Sequence, residues 1–131
     1  MTGVDIIGAL LTGYAPLLAV VPLERIKAGM LPDGVTLPAL LVRDVSSVER
    51  QSLRRGATTR TTDRVSVTVR AANYRDQKAI IALVKDCCAG KVGAIGGAAA
   101  ASVLTAGTGP DLIGPAMTFE QSQDFRVSFD A

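Results

Sequence analysis

The chain has 131 residues, 48% of them hydrophobic and only 4% aromatic, which suits one domain whose core is built from Val, Ile, Leu and Ala. Its formal charge of +2 is too small to argue for nucleic acid or an anionic membrane as a partner. It holds no histidine and only two cysteines, the adjacent Cys87 and Cys88, which excludes His-based nucleophile pairs and a structural zinc site and leaves both thiols as small buried apolar groups.

At the N-terminal end Thr2 caps a first helix, with Asp5 placed to complete a capping box. Val4, Ile7, Leu10 and Leu11 share one face of that helix, and Gly13 stops it. Pro16 opens a short second helix that runs to about Val21, and Leu23 to Lys27 reads as a short strand. The apolar stretch from Leu10 to Leu23 is broken by Pro16 and Pro22 and is too short to span a bilayer. No basic segment of the signal-peptide kind precedes it, so the stretch reads as core-facing structure of a soluble domain. Residues 29–38, rich in Gly and Pro, form a loop.

Ala39 to Glu49 is the first long strand, with Leu40, Leu41 and Val42 buried and a bulge expected at Ser46-Ser47. Gln51 to Thr62 is polar and basic, an exposed connection. Asp63 to Ala72 has the clearest strand pattern: Val65, Val67, Val69 and Ala71 point one way, and Arg64, Ser66, Thr68 and Arg70 the other. One face therefore meets a core and the other meets water or a partner. Asn73 then caps the main helix, whose buried stripe is Ile80, Val84, Cys87 and Cys88, and Gly90 ends it. Ser102 to Ala106 is a short strand, followed by a turn over Gly107 to Pro110 and a further strand around Ala116 to Phe119. Gln123 to Asp130 closes the pattern with Phe125, Val127 and Phe129 on one face. The order predicts an α+β fold: a mixed, mostly antiparallel sheet packed on one side by helices, a single domain over residues 1–131.

Nothing in the chain assembles a catalytic constellation. The run from Gly90 to Gly97 lacks both the Lys-Ser/Thr pair of a phosphate loop and the preceding strand of a dinucleotide site, and reads as a mobile loop. Ser46 and Ser47 have no nucleophile-elbow context, and no pair among the twelve carboxylates is singled out by spacing. The expectation is no catalytic residue, no cofactor and no metal ligand.

Charge is distributed less evenly. Between Arg50 and Arg75 lie seven arginines against the single Asp63, a segment of +6 in a chain whose remainder is −4. Such a basic connection suggests docking on an acidic partner or on a neighbouring copy, with Arg54, Arg55 and Arg60 as the partner-binding residues. A solvated hairpin tip is the competing reading. Specific nucleic-acid binding is disfavoured because the segment has no aromatic side chains for stacking.

With its N-terminal helix pair, Leu37-Pro38-Ala39-Leu40-Leu41-Val42 opening a long strand, the basic connection, Val65-Ser66-Val67-Thr68-Val69, the helix from Tyr74 to Ala89 and the closing Gln123-Asp124-Phe125-Arg126-Val127-Ser128-Phe129, the chain resembles the phage tail-completion proteins. That family includes tail terminators and tail-to-head joining proteins, and the likeness covers nearly the full length. It departs from the family in the small-residue run from Gly93 to Ala101. The resemblance implies a homo-oligomer, a hexameric ring, at the head-proximal end of a tail tube. Such a ring would be assembled in the host cytoplasm, meet the tail tube protein on one side and the head–tail connector on the other, and use no cofactor. Other readings are a stopper or adaptor ring at the same junction, a small enzyme using carboxylates alone, and a regulatory binding protein.

Overall fold

The computed structural model describes residues 2–32, 34–50, 53 and 59–130. Helix α1 spans Gly3–Thr12. The capping box forms as expected: the Asp5 N–H donates to Thr2 Oγ1 at 3.4 Å and the Thr2 N–H donates to Asp5 Oδ2 at 2.9 Å. Ile6, Ile7 and Leu11 form its buried stripe, with Val4 and Leu10 at the margin. Helix α2 is shorter than expected, Ala15–Leu18, and tails off in a turn. A 3-10 turn at Leu23–Arg25 takes the place of the first half of the expected short strand, and strand β1 is Ile26–Ala28.

Strands β2 (Ala39–Arg50) and β3 (Arg60–Ala71) form a long antiparallel hairpin. Both extend further into the basic connection than the sequence pattern indicates. The register slips between Asp44 and Ser46, so the bulge residue is Val45, one position before the Ser46-Ser47 pair. Helix α3 is Tyr74–Cys88, with Asn73 Oδ1 accepting from the Asp76 N–H at 2.9 Å.

The small-residue run is a β-hairpin and not a mobile loop. Strand β4 (Val92–Ile95) turns through Gly96 and Gly97 into β5 (Ala98–Thr108), and both glycines have positive φ, 57° and 92°. A two-residue turn with positive φ at both positions matches the right-handed twist of the strands it joins. Strand β6 (Leu112–Ile113) has no counterpart among the elements expected from the sequence. The strand expected around Ala116 is a turn, because Ala116 and Met117 both lie in the left-handed region, and β7 runs unbroken over Phe119–Asp130.

The sheet order is β1-β2-β3-β7-β5-β4, with β6 also pairing β7. Only β1 and β2 are parallel, so the sheet is mixed and mostly antiparallel, an α+β fold. The helices cover one face, with α3 packing on β3 and β7 and α1 on β2 and β3. In the layer between them Ile6, Leu11, Ile80 and Val84 meet Val65, Val67, Phe125 and Val127, all fully buried. Burial of an apolar side chain of this size contributes about 1.5–3 kcal/mol. Cys87 and Cys88 are free thiols within this layer, as expected of small apolar residues. Among the described residues no helix is long and apolar enough to cross a membrane.

Candidate assembly surface

The face of the sheet away from the helices is set by strand parity. On β3 the even-numbered residues Arg60, Arg64 and Arg70 point to it, and on β7 Glu120, Asp124, Arg126 and Asp130 do the same. Cross-strand register brings most of these charges together. Arg60 Nη1 lies 3.3 Å from Asp130 Oδ1, Arg64 Nε 2.9 Å from Asp124 Oδ2, and Arg70 Nε 3.3 Å from Glu120 Oε2. Each guanidinium also reaches a backbone carbonyl: Ala100 from Arg60 at 2.7 Å, Ala106 from Arg64 at 2.9 Å, and Pro32 from Arg70 at 3.1 Å. Between the ion pairs, Thr62 shares a hydroxyl hydrogen bond with Ser128 at 3.0 Å and Thr68 one with Ser122 at 2.8 Å. The face is a ladder of polar rungs, a cross-strand arrangement that stabilises paired strands.

This ladder changes the reading of the basic segment. Arg60 belongs to β3 and not to the exposed connection, and it contacts Asp130 and the Ala100 carbonyl of its own chain while staying partly exposed. Arg54 and Arg55 lie outside the described residues. Three arginines of the segment are neutralised by β7, so the excess of positive charge that remains on this face sits elsewhere. It is carried by Arg43 and Arg50 on β2 and by Arg126 on β7, all exposed and in no ion pair with a described residue. The sequence alone does not single out Arg126, where it is one arginine amid acidic and hydroxyl neighbours. Its cross-strand partner is Arg64, so two guanidinium groups stand side by side with only Asp124 between them and neutrality. Around them Ser46, Val48, Thr62 and Ala106 complete a shallow depression of about 200 Å3. Val48 and Leu104 add exposed apolar area at 66% and 57% exposure.

A depression lined by hydroxyls, guanidinium groups and aliphatic side chains is suited to docking against carboxylates of another protein surface. It contains no nucleophile–base pair. Among the described residues no group of three or more His, Cys, Asp or Glu is placed to hold a metal ion.

The helix-covered, mostly antiparallel sheet defines a fold that is found in a known particle. Along 98% of this chain and 95% of the other, the structure superposes with a TM-score of 0.71 on a chain of the virion of a native gene transfer agent particle, at 13% sequence identity. No protein-family model matches the sequence, and no characterised protein matches it either. The likeness is therefore one of fold.

Proposed function

We propose that this protein is a structural component of a phage-like particle and acts by assembly, not catalysis. More narrowly, copies of it form a ring at the head-proximal end of a tail tube, end the tube's growth and offer a surface to the head connector. The observation that carries the reading is the full-length match in fold to a chain of a gene transfer agent virion. The resemblance of the element order to that of tail-completion proteins supports the narrower part, as does a sheet face whose surplus charge and exposed aliphatic side chains find no partner among the described residues of the chain. Ring formation needs two different complementary patches per copy, and contacts of that heterologous kind close when the rotation between copies allows. On this reading Arg54, Arg55 and Arg60 remain partner-binding residues, Arg60 from within its half-exposed pair with Asp130.

The test is assembly of tail tubes with and without the purified protein, viewed by electron microscopy. Tubes of uniform length, each with density at one end, are expected when it is present. Tubes of unchanged length distribution and bare ends would overturn the proposal.

A further inference from the structure

The helix side of the sheet carries a second charged region, opposite in sign to the first. Beyond the end of α1, residues Asp44 and Glu49 of β2 register with Val65 and Thr61, whose side chains face the helices, so both carboxylates stand on that side of the hairpin. Asp5 of α1 and Asp63 of β3 border the same region. Asp63 is 3% exposed; its Oδ2 accepts from the Gly3 N–H at 2.8 Å, while its Oδ1 is buried without a hydrogen-bond partner. Burial, then Asp63, then Asp5 push the Asp44 carboxyl above its ordinary value. Asp44, Glu49 and Asp63 form no ion pair with a described residue. The region opens into a groove of about 260 Å3 between α1 and β1, lined by Val4, Gly8, Ile26, Ala28 and Val42 together with Asp5, Thr12 and Lys27. An acidic shoulder thus adjoins a slot whose walls are mainly aliphatic, with Lys27 on the β1 side.

On the opposite face lie Arg126, Arg43 and Arg50 without carboxylate partners, beside the exposed Val48 and Leu104. The sheet itself separates the two regions, so no single copy brings them together. We infer that the Arg126 face of one copy docks on the Asp44 shoulder of the next, guanidinium groups meeting carboxylates while Val48 or Leu104 covers the mainly aliphatic slot. This contact deepens the ring proposed above and rests on it: it supplies the two unlike patches that a head-to-tail closure requires.

Charge reversal tests the pairing. Arg126→Glu and Asp44→Lys, each alone, place like charges against each other at every contact. Sedimentation and native mass measurements should show association weakened at least tenfold for either variant, with thermal unfolding of the monomer unchanged. An equimolar mixture of the two should associate again. When the two variants alternate, the reversed charges face each other at one contact, and the native Arg126 and Asp44 face each other at the next. Asp44→Asn, which adds no new charge, should also weaken association and provides the measurement if Asp44→Lys fails to fold. If wild type and both variants associate alike, or if mixing restores nothing, the pairing is wrong while the ring stands. Self-association that is intact in the variants, with loss of incorporation into particles, assigns the shoulder to a different virion protein and also overturns the pairing. A wild type that stays monomeric at every concentration and on tail tubes removes the ring itself.

Discussion

Strands β2 and β3 have the same length, 12 residues each, and pair along nearly all of it, yet their surroundings differ sharply. From Val65 to Ala71, β3 is buried on both of its faces, whereas β2 is exposed at every position from Arg43 to Arg50. The difference comes from neighbours. β3 is flanked by β2 and β7 for its full length, while among the described residues β1 covers only Leu40 to Val42 of β2 and no other strand pairs with the remainder of that edge. Stability is concentrated where three strands and two helices converge, and the distal arm of β2 adds little to it. An exposed edge with Val45 and Val48 on it is a hazard for uncontrolled pairing. The bulge at Val45 and the charges at Arg43, Asp44, Glu49 and Arg50 are the features that restrain it.

The largest expected effect lies in the shared core. Ile80→Asp puts an unpaired carboxylate in a fully buried site, and loss of several kcal/mol in thermal or urea unfolding is expected. A variant as stable as wild type would show that α3 does not depend on that contact. Next is Gly3→Ala, where the added methyl would stand 2.8 Å from both Asp63 Cβ and Val65 Cγ2. The backbone of α1 must then shift away from β3, at a cost of about 1–3 kcal/mol. Wild-type stability here would mean that the helix is free to slide over the sheet. Arg64→Ala removes a half-exposed ion pair with Asp124 and is expected to lower stability by under about 1 kcal/mol, less at high salt. At the distal arm, Val48→Ser should leave the unfolding free energy within about half a kcal/mol of wild type, with an unchanged urea slope.

Asp44→Asn sharpens the comparison through pH. Because the folded state raises the Asp44 carboxyl, it holds that proton more tightly than the unfolded chain does. As pH rises through the carboxylate range, the native state must release the proton against its neighbours, so ionised Asp44 works against folding at neutral pH. The Asn variant should therefore be no less stable than wild type there, with any gain disappearing in acid. Comparison of melting curves across that range decides it, and a clear loss of stability at neutral pH would show Asp44 to be a structural group.

The regular elements are readable where apolar and polar residues alternate with high contrast. Val65, Val67 and Val69 against Arg64, Ser66 and Thr68 mark β3, and Ile80, Val84 and Cys87 mark α3. The β4–β5 hairpin escapes such a reading because a run of Gly and Ala offers no contrast, although the Gly96-Gly97 pair is a turn signal in plain view. That β3 has an apolar and a polar face follows from its alternation, but the burial of Ser66, Thr68 and Arg70 and the chemistry of the polar face do not. Which arginines are neutralised depends on register with acids roughly 50 to 70 positions further on, Glu120, Asp124 and Asp130, and no local pattern carries that register. Arg126 and Asp44 are hidden in the sequence for the same reason: what distinguishes them is the lack of a partner, which becomes apparent only after the other charges have been matched.

The sheet order also has a consequence for when the protein becomes a protein. β7 follows every other described strand in the sequence, yet in space it joins β3 to β5. Until it is made, the chain on the ribosome consists of two separate pieces, β1 to β3 with their helices and the β4–β5 hairpin, and each leaves half a core in water. The arginines of β3 have no counter-charges in that period, since Glu120, Asp124 and Asp130 arrive with the same strand that closes the core. Contacts of such long sequence separation are slow to form. Neutralisation of the arginine ladder and completion of the hydrophobic layer are thereby a single event, and a chain that stops before Phe119 has neither.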